Sequence, residues 1–186
     1  MHKIFMALDL EMAQPSTRII QIGAVIGNID TGEILDRFSM FINPEEQLSE
    51  YIINLTGITQ EQVDNGVTLR EAYDQLVEFH KQHKAFFNAI VWGKGDMDKL
   101  KKEMHEMYGE VSTANHWPFG RREIDVKTIW VSYRLSRGEP IQGGLARSMT
   151  KVGLKFEGRK HNAESDAEMT FSMYRAMLKI LNPNRT

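Results

Sequence analysis

The order of strand-like and helix-like segments is the feature that most limits the fold of this chain. Three apolar segments rich in β-branched residues follow one another near the N-terminus, at 3–10, 18–29 and 33–42. The sequence Asp30-Thr31-Gly32 between the last two is typical of a tight hairpin turn, because glycine tolerates positive φ angles. The later part of the chain alternates, with predicted helices at 49–55, 59–63 and from Leu69, a strand at 86–92, a helix at 96–108, a strand turning into a helix at 123–133, and helices at 142–152 and 163–181.

This order predicts an α/β fold built on one mixed sheet. Three successive strands form an antiparallel meander, whereas strands that alternate with helices pair in parallel and place helices on both faces of the sheet. A length of 186 residues suits one core rather than two, so we expect a single domain over 1–186 with its core at about 4–181. In such sheets, sites gather at strand ends and in the turns that follow them.

Composition limits the location of the protein and the kind of metal site it can have. No apolar run approaches the roughly 18 residues that a membrane span needs, and the N-terminus enters a strand rather than a signal peptide. We therefore expect a cytoplasmic protein with no membrane partner. The chain has no cysteine, so any metal ion must be held by oxygen and imidazole ligands.

Two acidic residues lie at the end of the first predicted strand. Side chains alternate along a strand, so Asp9 and Glu11 project from the same face, opposite Leu8 and Leu10. Adjacent carboxylates repel unless a cation lies between them, and hard divalent ions such as Mg²⁺ or Mn²⁺ are the natural partners of oxygen ligands. The alternative is a fraying strand end with two solvated acids.

Further candidates follow the fourth strand and precede the last helix. Asp96 comes directly after a Gly-Lys-Gly turn, where it could also serve as a helix-capping acid, and Asp98 competes with it for any functional role. His161 and Asp166 flank the start of the last helix, for which Asn162 is a suitable N-cap. A loop followed by a helix allows both side chains to approach the same point, although a single histidine is often structural or solvated.

Together these residues resemble the DEDDh branch of the DnaQ-like 3′-5′ exonucleases, which have a ribonuclease H-like fold with a mixed five-stranded sheet. The resemblance runs from about residue 4 to 178 and is nearest to the Eri-type and KapD-like subgroup. Gly95 departs from the pattern, because the family often has an aromatic or bulky residue before the second-motif Asp. The segments that carry the resemblance are Asp9-x-Glu11, Arg18–Val25, Leu55-Thr56-Gly57-Ile58, Trp92-Gly93-Lys94-Gly95-Asp96, Ile124-Asp125 and Phe156–His161 with Asp166.

The resemblance implies a role for each candidate. Two divalent ions, Mg²⁺ or Mn²⁺, are expected per site, held by Asp9, Glu11, Asp96 and Asp166, with Asp9 shared between them. His161 is expected to act as general base on the attacking water. The same resemblance implies that the substrate is contacted by Met12, Ala13, Leu55, Thr56, Gly57, Ile58 and His161. For Gly57 the alternative is simply the C-cap of a helix.

The expected function is hydrolysis of single-stranded nucleic acid, RNA or DNA, from a free 3′ end to nucleoside 5′-monophosphates. One alternative is an oligoribonuclease-like enzyme or a phosphodiesterase that acts on small nucleotides. Another is a nucleic-acid-binding module that keeps the fold but has lost catalysis. The sequence does not indicate the oligomeric state.

Positive charge is concentrated in one stretch of an otherwise acidic chain. Residues 121–160 carry 10 Lys and Arg against 4 Asp and Glu, whereas residues 1–120 carry 10 against 18. Such a block is typical of a surface that binds a polyanion, but it is equally consistent with a set of solvated side chains. The ten basic residues are Arg121, Arg122, Lys127, Arg134, Arg137, Arg147, Lys151, Lys155, Arg159 and Lys160.

Overall fold

A five-stranded mixed sheet lies at the centre of the structure, a computed structural model that describes residues 2–109 and 117–183. The strands lie in the order β3-β2-β1-β4-β5. The β1/β2 and β2/β3 pairs are antiparallel, whereas β1/β4 and β4/β5 are parallel. This confirms the predicted meander followed by two parallel strands. The strands are β1 (Ile4–Met12), β2 (Ile19–Asn28), β3 (Ile34–Phe41), β4 (Phe86–Val91) and β5 (Ile124–Asp125).

Helices cover both faces of the sheet, as predicted. Because β1 is central, its alternating side chains enter two different cores: Leu8 packs with α3 and α4, and Ala7 packs with α5, α6 and α7. A third, smaller core forms around α1 and α2 beside the end of β1. The helices are α1 (Glu50–Thr56), α2 (Gln60–Asp64), α3 (Leu69–Gln82), α4 (Asp96–Tyr108), α5 (Val126–Ser136), α6 (Leu145–Lys151) and α7 (Ala163–Leu181).

The observed elements differ from the predicted ones mainly at their ends. The first strand extends to Met12, so Glu11 lies within the strand rather than in a frayed end. The helix expected at 142–152 begins only at Leu145, because Gly143 has a φ of 127° and Gly144 is the N-cap. Between the helix predicted at 96–108 and the strand predicted from 123, residues 110–116 lie outside the described residues.

Two broader expectations stay predictions. The single-domain organisation over 1–186 is one, and the cytoplasmic location is the other. Within the described part of the chain, none of the helices combines the length and apolar character that crossing a bilayer requires.

Candidate functional site

The site is built on the last four residues of β1 and the residues opposite them on β2. Asp9 pairs with Gly23 and Glu11 pairs with Gln21 in the antiparallel register. Asp9 is half-buried and Glu11 is buried, with 8% of its surface exposed. Both side chains project toward the face that α7 covers, because they share the odd-numbered register of Ala7, which packs in that core.

Helix α7 reaches this face because two β2 residues allow it. A Cβ added at Gly23 would lie 2.1 Å from both Ala163 C and Glu164 N, so only glycine permits the helix N-terminus to approach this closely. The buried side chain of Gln21 accepts a hydrogen bond from the Ala163 amide at 3.0 Å. Asn162 caps the helix by accepting from the Ser165 amide at 3.2 Å. These contacts bring the first turn of α7 to Asp9 and Glu11.

Asp166 and His161 complete one part of the site. The backbone amide of His161 donates a hydrogen bond to Asp166 Oδ2 at 2.7 Å. His161 has a φ of 59°, which is rare for a residue with a side chain and is typical of functional positions. Potential ligand atoms of Glu11, His161 and Asp166 all lie within 4.8 Å of one another. One cation could therefore contact all three side chains.

Asp96 joins the cluster from the end of β4, and Asp98 does not. Asp96 is the first residue of α4 and follows β4, which pairs in parallel with β1, so both strands end at the same edge of the sheet. Asp98 points away, with 64% of its side chain exposed and an ion pair to Lys94 at 3.5 Å. This geometry supports Asp96, rather than Asp98, as the predicted member of the acidic cluster.

The four carboxylates shift one another's ionisation. Burial, and then repulsion from Asp166 and Asp96, raises the pKa of Glu11 to about 8. Burial, followed by repulsion from Glu123 and Asp166, raises the pKa of Asp96 to about 7. Burial, and then repulsion from Asp96, Glu11 and Asp166, raises the pKa of Asp9 well above its usual range. Burial also raises the pKa of Asp166. A cluster of buried and half-buried carboxylates that repel one another is the donor set that hard divalent cations fit.

A cleft of about 460 Å³ opens onto these acids. Trp92 and Phe156 give it aromatic surface, and both side chains also pack against the core beneath α7. Arg147 and Lys160 bring positive charge to its wall. Aromatic rings beside basic side chains are the features that bind single-stranded nucleic acid. Asp9, Glu11, His161 and Asp166 also contribute to the lining.

The residues predicted to contact the terminal nucleoside have mostly structural contacts. Gly57 is the C-cap of α1, with a φ of 73° and its amide donating to Ile53 O at 2.8 Å. Thr56 is buried and donates its hydroxyl to Ile52 O, and Ala13 and Ile58 pack in the small third core.

The remaining two of these residues, Met12 and Leu55, are half-buried. The turn nevertheless lies beside the loop that carries His161, because a Cβ added at Gly57 would lie 1.8 Å from Arg159 Cζ. Substrate contact by these six residues and by His161 stays a prediction.

Three contributors were not found from the sequence. Gln21 and Gly23 were noted only as part of the second-strand motif, although a glutamine within a β-branched run is itself a sign of a buried polar contact. Glu123 precedes the short strand β5 and raises the pKa of Asp96 through its charge, as described above. No local pattern distinguishes it, since its proximity to Asp96 depends on the sheet.

Comparisons with known proteins agree with this geometry. A family model for exonucleases, RNase_T, matches residues 6–174. Human 3′-5′ exoribonuclease 1 is 29% identical over 157 residues, which cover 81% of this chain and 43% of that protein. Mouse ERI1 exoribonuclease 2 is 32% identical over 173 residues, which cover 83% of this chain and 24% of that protein. The chain thus spans less than half the length of these relatives.

A solved structure extends the similarity to three dimensions. The nuclease domain of 3′hExo, a DEDDh family member bound to rAMP, superposes with a TM-score of 0.79 at 25% sequence identity. The match covers 96% of this chain and 93% of that domain. The predicted ribonuclease H-like architecture is confirmed by this similarity together with the strand order.

Proposed function

Since the chain belongs to the RNase_T exonuclease family, we propose that it is a divalent-metal-dependent enzyme that shortens single-stranded nucleic acid from the 3′ end. The products would be nucleoside 5′-monophosphates. The observation that carries the proposal is the convergence of Asp9, Glu11 and Asp166 beside His161 in one cleft, with Asp96 close enough to repel these carboxylates. Because these residues come from β1, α4 and the start of α7, their convergence is a property of the whole fold.

Each acidic side chain has a role as a ligand in this proposal. Asp9, Glu11, Asp96 and Asp166 would hold two divalent cations, Mg²⁺ or Mn²⁺, whose charge offsets the repulsion among the carboxylates. When bound, such cations stabilise negative charge on the attacking and leaving oxygens of an in-line displacement at phosphorus.

His161 would accept the proton of the attacking water, because an imidazole changes its protonation state near neutral pH. Its backbone hydrogen bond to Asp166 fixes the loop, so the ring is held within reach of the acids. His161 is exposed, which leaves the ring accessible to water and to a substrate in the cleft. These features support a general base at this position.

RNA is the favoured substrate. The relatives are named exoribonucleases, and the similar solved domain is bound to rAMP, a ribonucleotide. Trp92 and Phe156 in the cleft would supply surfaces on which terminal bases stack. Stacking tolerates any base, so we expect little sequence preference.

The test uses a 20-mer RNA and a DNA of the same sequence, each labelled at the 5′ end, with Mg²⁺, Mn²⁺ or EDTA. We expect a ladder that shortens from the 3′ end, faster with RNA, and no products in EDTA. Asp9→Asn should abolish shortening, and His161→Ala should slow it by about 10²–10⁴-fold, the usual contribution of a general base. His105→Ala, which changes a histidine in α4, is the matched control and should retain the wild-type rate.

A second pair of variants tests the choice between neighbouring acids. Asp96→Asn should abolish activity, whereas Asp98→Asn removes an exposed acid and should leave the rate within about twofold, as expected for a surface change of small energy. Shortening by the Asp9→Asn variant at the wild-type rate would refute the proposal. Faster hydrolysis of a dinucleotide than of the 20-mer would favour the small-nucleotide alternative, and binding without cleavage would favour the inactive module.

A further inference from the structure

The basic stretch of the chain is mostly unpaired. Of its ten Lys and Arg residues, only Arg134 and Arg137 form ion pairs with carboxylates of the described residues, and both pair with Glu139. Among residues 1–120, by contrast, Lys3, Arg37 and Lys99 each form an ion pair with a carboxylate. An unpaired surface cation can bind a polyanion at little cost in free energy, because no existing ion pair has to be broken first.

Two of the unpaired cations line a small cavity of about 160 Å³ between α5 and α6, which we call the α6 groove. Arg147 and Lys151 are four residues apart on α6, so they lie on one face with a rise of about 6 Å between them. Both side chains are exposed. The other lining residues include Trp130, Arg134, Gln142 and Ser148.

The inner wall of the α6 groove is fixed by internal contacts. The Arg134 guanidinium lies over the buried Trp130 ring, 5.2 Å from its centroid, and its Nε donates to Pro140 O at 3.1 Å. Ser148 is buried beneath the outer cations. Arg147 is oriented by Gly143, where an added Cβ would lie 2.9 Å from Arg147 Cδ. These contacts hold the inner wall of the α6 groove in place.

The α6 groove adjoins the catalytic cleft. Arg147 lines both cavities, and α6 supplies Leu145 and Ala146 to the cleft as well. A strand whose 3′ nucleotide lies at Asp9 and Glu11 can pass Arg147 and continue to Lys151. Since successive phosphates of a single strand each carry one negative charge, a line of cations leading from the site matches such a strand.

We propose that the α6 groove binds backbone phosphates of the substrate strand, upstream of the 3′ nucleotide held in the cleft. The inference rests on the proposed function, because that function places the 3′ end at the carboxylates. Arg147 contacts the phosphate nearer the 3′ end and Lys151 the next one along. The groove makes binding depend on strand length and on salt, without selecting a base sequence.

Binding is measured on the Asp9→Asn background, with Mg²⁺, so that the strand stays intact. The probe is a fluorescein-labelled 20-mer RNA, followed by anisotropy across a series of salt concentrations. Arg147→Gln with Lys151→Gln removes both cations, and Lys81→Gln with Lys179→Gln is the control, which removes two exposed cations from α3 and the end of α7. Each phosphate contact contributes about 0.7 to the slope of log K against log salt for a single strand.

We expect the Arg147→Gln/Lys151→Gln variant to lose about 1.4 from that slope and to bind about 25-fold more weakly at 0.1 M salt, taking the contact energy to vanish at 1 M. The control should bind within about twofold of the background protein. Lys151→Gln alone should weaken binding of the 20-mer but not of a dinucleotide, because Lys151 lines the α6 groove and not the cleft.

An unchanged salt slope in the double variant would overturn the inference, as would equal losses for the 20-mer and the dinucleotide with Lys151→Gln. Failure of the Asp9→Asn protein to bind the 20-mer would also overturn it. The proposed function fails separately, if the wild-type protein with Mg²⁺ or Mn²⁺ does not shorten the RNA. The two results therefore distinguish a wrong strand path from a wrong activity.

Discussion

The substitution Gly23→Ala tests how β2 positions the catalytic acids. The added Cβ would lie 2.1 Å from Ala163 C and Glu164 N, whereas real Cβ contacts essentially never fall below 3.0 Å. Both of these atoms belong to the backbone, so no side-chain rotation can relieve the clash. The N-terminus of α7 must therefore retreat by about 1 Å or more, and Asp166 moves with it.

The expected loss of activity follows from that displacement. A misplacement of about 1 Å can cost about 100-fold in rate, and the retreat also stretches the hydrogen bond between Gln21 and the Ala163 amide. Overpacking of this kind costs about 1–3 kcal/mol of stability. The assay is the rate of shortening of a 5′-labelled RNA at a temperature where circular dichroism shows the variant to be folded. The Mg²⁺ dependence of the rate is measured in parallel.

The matched control is Gly27→Ala, four residues along the same strand. Its Cβ would lie 2.4 Å from Cζ of Phe171, which is a side-chain atom on the same helix but about one and a half turns beyond Asp166. We expect a similar loss of stability and a rate within a few-fold of wild type, since the first turn of α7 stays in place. A folded Gly23→Ala variant with the wild-type rate would refute the argument. Equal rate losses in both variants would also contradict it, because general destabilisation would then explain the loss of activity.

Three further predictions concern stability. Because the folded-state pKa values of Glu11 and Asp96 are raised above their unfolded values, the metal-free protein should lose stability as the pH rises from about 5 to about 8. Mg²⁺ should raise the melting temperature more at pH 8 than at pH 5. A melting temperature of the metal-free protein that does not change with pH would contradict these shifts. Gln21→Leu leaves the buried Ala163 amide without its acceptor and should lower the free energy of unfolding, measured by urea denaturation, by about 1–3 kcal/mol. An unchanged free energy of unfolding would contradict the importance of this hydrogen bond. Thr68→Ala removes the capping-box hydroxyl of α3 and should cost about 0.5–2 kcal/mol while the rate of RNA shortening stays unchanged, as measured by urea denaturation and the cleavage assay.

The identity of most site residues could be predicted from the sequence because local geometry controls where they point. Strand alternation placed Asp9 and Glu11 on one face, and the capping preference of Asn162 placed Asp166 in the first turn of the last helix. The resemblance to a known exonuclease family then connected acids that are far apart along the chain. The fold class followed from the order of the elements, because consecutive strands and strands separated by helices have few ways to pair.

The choices that needed the tertiary structure are those between residues with the same local pattern. Asp96 and Asp98 both lie in the first turn of α4, and only the packing of that helix turns one into the cluster and the other toward Lys94. The role of Gly23 depends on how closely a helix from the other end of the chain approaches it. In the same way, the ten basic residues of 121–160 did not by themselves indicate the path of a bound strand. The fold does so, because it places Arg147 in the lining of two cavities.

The sequence by itself therefore determined which chemical groups the site contains and which elements carry them. The tertiary structure decided which of these groups lie near one another, and so which pKa values are raised and which cations stay unpaired. The physical reason is that alternation, helical periodicity and capping act over a few residues, while Coulomb repulsion, burial and steric contact act through space. Distances of a few ångströms between β1, β2, α4 and α7 are set only when the whole sheet has formed.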